Sequence, residues 1–272
     1  MPIPKVIHSI WMQGRLNAPP LVKLCLDRWE SLNPSYDLRV LDQPAVEKII
    51  GKDVPFWADM KTEALSDIVR ARLLLDEGGI WTDATVLPLV SLEKWLPPLT
   101  AESSFFAYSR PGADRPISSW LIASGQGHVI IQKWWDEILQ FWDKPRTLNT
   151  YGGGLIAPDP IASVSPAQGG ATDEYPYFWF HYLFDYILSK DPEAAAIWDR
   201  CAKIPARGAH ALHDLLEGKR PTTRKEMIRA ANWAPVQKMS WRSDYPISVL
   251  SALPVDGQRQ GPGWLRKLLK RY

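Results

Sequence analysis

The chain has 272 residues, a formal net charge of +2 and 46% hydrophobic residues. That length suffices for one large α/β domain or two small ones, and the near-balance of charge excludes a general nucleic-acid binder. No apolar run approaches the ~20 residues that span a bilayer, and Met1-Pro2-Ile3-Pro4-Lys5 leads into a strand-like run rather than a signal peptide, so the expectation is a cytoplasmic protein.

Lys5 to Trp11 reads as the first strand, with Val6, Ile7, Ile10 and Trp11 bulky and apolar. Pro19 to Leu32 reads as a helix, opened by Pro19-Pro20 and carrying an apolar stripe of Leu21, Leu24, Cys25 and Trp29. Tyr36 to Leu41 alternates as a second strand, with Asp42 at its end, and Ala45 to Ile50 is a short helix. Ser66 to Asp76 is the next helix, with Asp67 and Arg70 at i and i+3 on one face. Gly78-Gly79 then supplies the left-handed conformations that end a helix and turn a chain. Ile80 to Val86 is β-forming, interrupted by Asp83, a carboxylate that is costly to bury unless a positive group meets it.

The order β-α-β-α-α-β predicts a doubly wound sheet, whose ligands bind beyond the carboxyl ends of the strands. Trp11, Asp42 and Asp83 all fall at such ends. Two carboxylates, an arginine and a tight turn between Ser66 and Val86 suit a metal and a phosphate. Further on, Phe105 to Tyr108 and Ser119 to Ala123 read as strands, and Val129 to Trp142 as a helix burying Trp134, Trp135, Ile138 and Trp142. Tyr151 to Gly170 reads as a long loop. Tyr177 to Leu188, Asp191 to Arg200 and Pro221 to Ala231 read as helices. Residues 256–272 form a basic tail in which Trp264 to Tyr272 is amphipathic, suited to peripheral contact with an anionic membrane face or to a plain solvated end. Cys25 and Cys201 lack metal spacing and read as buried thiols. Many of the 14 Trp must be core.

Several of these stretches resemble a known family. Ile3 to Gly14 (IPKVIHSIWMQG) resembles the opening strand of capsular polysaccharide synthesis proteins and related DxD-motif sugar transferases. That group includes the initiating yeast-type mannosyltransferases and, distantly, the large clostridial glucosylating toxins. Trp29 with Asn33-Pro34-Ser35-Tyr36 is similar to the family's "W…NPxY" segment, and Ser66-Asp67 to Arg70 with Gly78 to Thr85 to its "SDxxR…GGxxxDxD" block. Looser likenesses lie at Ser119 to Ala123 and Tyr177 to His181, and Lys238-Met239-Ser240-Trp241 resembles a closing "K-L-[ST]-W" motif.

The resemblance implies a GT-A-type fold over residues 1–255, a Rossmann-like mixed sheet flanked by helices with additional C-terminal helices. It implies a retaining glycosyltransferase taking a UDP- or GDP-sugar to a glycan or lipid-linked acceptor, with a divalent metal, Mn²⁺ or Mg²⁺. By the same resemblance Trp11 stacks on the base, Asp67 and Arg70 hold the ribose and donor sugar, and Trp81 packs beside the nucleotide. Asp83 reaches the ribose and the metal, and Ser240 and Trp241 close over the diphosphate. The family's usual second aspartate is Thr85 here. A hydroxyl is a weaker ligand for these ions than a carboxylate, so the metal rests on Asp83 and Thr85 with water and diphosphate, or its charge is supplied by Lys238 and Arg70.

Asp42 fits either a ligand contact or a plain strand end. His8 reads as a satisfied core imidazole, and His181 as packed more than catalytic. His128, Asp173, Glu174 and His181 are the candidates for handling an acceptor. Thr85 also keeps open a second function, a sugar-nucleotide-binding protein that has lost catalysis. A nucleotidyl or phosphoryl transferase is weaker, because no Walker or G-x-G-x-x-G loop is present.

Overall fold

The computed structural model describes residues 2–165, 173–218 and 220–256. In chain order the elements are β1 (Val6–Ile10), α1 (Pro20–Leu32), β2 (Asp37–Leu41), α2 (Gln43–Ile50), α3 (Thr62–Asp76), β3 (Gly79–Thr82), β4 (Val86–Pro88) and α4 (Leu92–Thr100). Then come β5 (Phe105–Gly112), β6 (Arg115–Ser124), α5 (Val129–Phe141), β7 (Thr147–Asn149), β8 (Glu174–Pro176), α6 (Trp179–Lys190), α7 (Pro192–Arg200), α8 (Arg207–Glu217), α9 (Arg224–Ala231), β9 (Val236–Lys238) and α10 (Ile247–Ser251).

The main sheet has the order β2-β1-β3-β6-β5. β1 runs parallel to both β2 and β3, while β6 is antiparallel to β3 and to β5. The fold is therefore mixed α/β. The chain leaves β1 to one side to reach β2 and returns to the other side for β3. The crevice at the carboxyl ends of β1 and β3 is a topological switch point, where ligands bind in open α/β sheets.

Alternation along the strands divides the core. Trp81, Phe105, Ala107 and Ile122 pack with α3, α5, α6 and α7, whereas Ile80, Phe106, Tyr108, Leu121 and Ala123 pack with Trp29 of α1 and with α4. Successive residues of β3 thus face opposite layers, and Asp83 leaves the strand on the side of Trp81. C-terminal to the sheet, Arg28 of α1 donates to the carbonyls of Leu250, Ser251 and Leu253, satisfying acceptors at the C-terminal end of α10. Cys25 and Cys201 are buried and free, and burial pushes the Cys25 thiol up to about 12.

The turn after α3 fixes the approach to the crevice. Gly78 and Gly79 have φ of +68° and +94°. A β-carbon on Gly79 would lie 2.4 Å from Val6 Cγ1, and one on Gly78 would lie 2.5 Å from the Gln126 amide nitrogen. Left-handed backbone and close approach both demand glycine. Gly79→Ala is expected to destabilise the fold by about 3 kcal/mol, read as a lowered urea midpoint with an unchanged slope.

The strand after the glycine turn ends at its carboxylate, as the sequence suggests, and Val86 then opens a separate strand. The Asp83 amide bonds Trp120 O at 2.9 Å, the Val86 amide returns to Asp83 O at 2.9 Å, and the chain then enters β4, which pairs with β9 outside the main sheet. β propensity says that residues suit a pleated surface, not which sheet they join. The helix at Asp67 begins a turn earlier, at Thr62. Arg207–Glu217, for which the sequence suggests no element, is a helix, and Thr147–Asn149 with Glu174–Pro176 are short paired strands. Among the described residues no helix is long and apolar enough to cross a membrane. The amphipathic stretch 264–272 lies outside the described residues.

Candidate functional site

A cleft of about 450 Å³ opens at the switch point. Its lining includes Trp11, Asp67, Arg70, Trp81, Asp83, Thr85, Lys238, Ser240 and Trp241, so the fold gathers these sequence candidates in one place.

α3 runs antiparallel to β3, which puts its first half over the carboxyl end of the sheet. Glu63, Ser66, Asp67 and Arg70 follow the i, i+3, i+4, i+7 spacing of one helical face and all line the cleft. Arg70 is 3% exposed and its guanidinium bonds the Asp67 carboxylate. The same guanidinium reaches Asp83 Oδ1 at 3.2 Å and lies over the rings of Trp81 and Phe180, 4.8 and 5.4 Å from their centroids. A flat, weakly hydrated cation suits such a stacked, buried position. Trp81 Nε1 also donates to Asp83 Oδ1, at 3.3 Å.

The second cation arrives from far along the chain. In the β4–β9 ladder Val86 stands opposite Lys238, and the Met239 amide bonds Thr85 O at 3.0 Å. That ladder sets Lys238 Nζ 2.7 Å from Thr85 Oγ1 and 3.2 Å from Asp83 Oδ2. Both Asp83 oxygens therefore face a fixed positive charge. Burial opposes ionisation of Asp83, but Lys238 and then Arg70 outweigh it and hold the carboxyl below its ordinary range. Asp67 moves the other way. Burial, with the charge of Asp83, pushes it up to about 7 against the pull of Arg70.

The donor set decides whether a divalent ion fits. Thr85 Oγ1 accepts from the Lys238 ammonium, and Asp83 is shared between Lys238 and Arg70. Among the described residues no group of three or more His, Cys, Asp or Glu is arranged to hold a metal. An ion ligated by Asp83 and Thr85 would meet an ammonium in the same corner. The two residues expected to hold a metal, Asp83 and Thr85, thus share their corner with the Lys238 ammonium, which Thr85 meets with an uncharged hydroxyl.

Other expectations divide. Trp11 and Trp241 meet edge to face with centroids 5.9 Å apart, and Trp241 stays 50% exposed at the cleft. Trp81 is 1% exposed, so it serves as a floor beneath Arg70 more than as a ligand surface. Asp42 is not among the cleft residues. It is exposed, and its carboxylate accepts from the Ala45 amide at 3.1 Å as the N-cap of α2, a role legible in an aspartate two positions before a proline.

His8 is buried and bonded to Gly78 O at 3.1 Å. His128 caps α5 and bonds Ser103 O at 2.9 Å. Asp173 pairs with Lys144 and Glu174 with Asn149, both outside the cleft lining. Of the acceptor candidates only His181 lines the cleft. Burial, then the charges of Arg115 and Arg70, push its pKa down to about 3, so the ring is neutral at physiological pH and a poor proton acceptor. Thr62, Glu63, Ser66 and Arg242 also line the cleft. Extending the Asp67–Arg70 face back by one turn would have found the first three.

No curated protein matches the chain at a significant level. Among solved structures the chain is similar to one described as "PaToxG Glycosyltransferase", at 15% identity and a TM-score of 0.43, covering 92% of this chain and 87% of that one. The family model of capsular polysaccharide synthesis proteins matches residues 2–152 of the 272, more than half, and the chain belongs to that family.

Proposed function

We propose that the protein is a glycosyltransferase that moves a sugar from a UDP- or GDP-sugar to a glycan or lipid-linked acceptor in capsular or cell-surface polysaccharide synthesis. One observation carries this reading. Arg70 and Lys238 converge on Asp83 at the floor of a switch-point cleft whose mouth holds Trp11 and Trp241. Family membership supports it, although the matched region ends before Lys238.

In such a transfer the bond between the anomeric carbon and the diphosphate oxygen breaks, a bond to the acceptor oxygen forms, and the acceptor proton passes to the departing diphosphate. Negative charge grows on the diphosphate as it departs. Preorganised cations at that position lower the barrier because they need no rearrangement during the step. Lys238 and Arg70 fill this role in the proposal. Asp83 and Thr85 orient the ammonium, Asp67 and Trp81 orient the guanidinium, and Trp11 with Trp241 offers aromatic surface to the base. Retention at the anomeric carbon follows from the resemblance and is read directly from the product's anomeric configuration.

Asp83→Ala is the test. Released nucleoside diphosphate should fall by about 10²–10³-fold with the circular dichroism spectrum unchanged. Full turnover in this variant would remove Asp83 from the site. A wild type that binds donor but turns it over with no acceptor or water would instead favour the catalytically inactive binding protein that Thr85 suggests.

A further inference from the structure

A second and larger cavity lies beside the cleft, and no role has been given to it. It measures about 1150 Å³ and is lined by the far end of the β5–β6 hairpin, by Asp159 to Ile161, and by α6 and α8. That volume exceeds the ~300–1,000 Å³ usual for small-molecule sites, so it suits an oligomeric ligand.

Two elements run from one cavity into the other. On α6, His181 lines the cleft and Asp185 lines the second cavity. They stand at i and i+4 on one face, about 6 Å apart along the axis. On β6, Ser119 lines the cleft while Arg115 lines the second cavity, at positions of like parity and roughly 13 Å apart along the strand. The boundary is built firmly. Arg115 lies over the Phe178 ring with its guanidinium carbon 3.4 Å from the centroid, and Tyr182 donates to Asp114 at 2.8 Å. Phe178 itself lines the cleft. A chain seated in the second cavity at Asp185 therefore lies within one helical turn of the cleft lining at His181.

The lining also states a charge. Arg110, Arg115 and Arg207 face Asp114, Asp159, Asp185 and Asp214. His210 packs its ring against Trp120 at 5.8 Å, and burial with the charge of Lys238 pushes its pKa down to about 4, so it adds no positive charge at neutral pH. Three cations against four anions offer no net attraction to a phosphate-rich or uronate-rich ligand. They do offer planar, paired donors and acceptors, which match vicinal hydroxyls.

We propose that this cavity holds the acceptor as an uncharged oligosaccharide several sugars long, with its growing end directed past His181 into the cleft. The proposal rests on the glycosyltransferase reading, and its test is read separately from donor binding.

The experiment is saturation-transfer NMR on the full chain with neutral tetrasaccharides of glucose, mannose, galactose and N-acetylglucosamine, beside a uronate tetrasaccharide and inorganic pyrophosphate. A neutral tetrasaccharide should bind, and Arg207→Ala and Asp214→Ala should each weaken it by at least about tenfold. The thermal shift produced by UDP or GDP in the same variants reports the fold and the donor site independently. The proposal is overturned if the nucleotide shift is present and no neutral tetrasaccharide binds. It is equally overturned if the uronate or pyrophosphate binds better, or if both variants bind the neutral sugar as wild type does.

Discussion

Lys238→Ala is expected to lower sugar transfer by about 10²–10³-fold while costing roughly 1 kcal/mol or less of stability. The two effects separate because of where Lys238 sits. Its ammonium is partly solvated, so as an ion pair with Asp83 it contributes little to folding. In the proposed transfer it is the cation beside Asp83 and Thr85 that meets the leaving diphosphate. Lys238→Arg should recover part of the rate, since charge returns but the point-like ammonium that fits between Thr85 Oγ1 and Asp83 Oδ2 does not. Steady-state release of nucleoside diphosphate and urea unfolding measure the two halves. A variant that loses stability and activity in proportion would make Lys238 structural only.

Arg70→Ala has the opposite balance. It removes a buried cation from between two carboxylates and costs about 3–5 kcal/mol, together with the loss of activity. The loss depends on pH, and its sign follows from Asp67. In the native protein Asp67 titrates at about 7, above its ordinary value. Between the ordinary carboxylate range and about 7 the folded state keeps a proton that the unfolded state has released. The stability contributed by this group is therefore present at low pH and lost as pH rises through 7. Without Arg70, which pulls the value down, that window extends higher. Urea unfolding should show a larger deficit for Arg70→Ala at pH 8 than at pH 5. A deficit that shrinks with rising pH would mean that Asp67 is ionised and content without its partner.

Why these residues were legible to different degrees is a matter of range. Asp67 and Arg70 share a helical face, and Gly78-Gly79 is the kind of turn only glycine makes, so their relation is written locally. Asp83 stands out as a carboxylate in a β-rich run, and the fold does bring it to Arg70. What local pattern could not show is that the chain re-enters a strand at Val86 and pairs with β9 outside the main sheet. Lys238 reaches Thr85 across 153 residues of sequence through that ladder, and only the family likeness pointed to it. Asp42 shows the reverse error. Position at a strand end suggested a ligand contact, while the nearer signal, an aspartate before Gln43-Pro44, marked a helix cap. The second cavity was invisible because its residues come from one hairpin, one loop and two helices, one of which, Arg207–Glu217, the sequence did not announce.

The most direct measurement is a thermal-shift titration of UDP- and GDP-sugars in the presence of a strong chelator, on the wild type and on Lys238→Ala. Donor at about a hundred times its Kd stabilises the folded state by about 2.7 kcal/mol, roughly 5–10 °C for a chain of this size. The account predicts that one donor class produces this shift in the wild type without free metal, and that Lys238→Ala loses most of it. A shift that appears only when Mn²⁺ or Mg²⁺ is restored, or one that Lys238→Ala keeps in full, would contradict it.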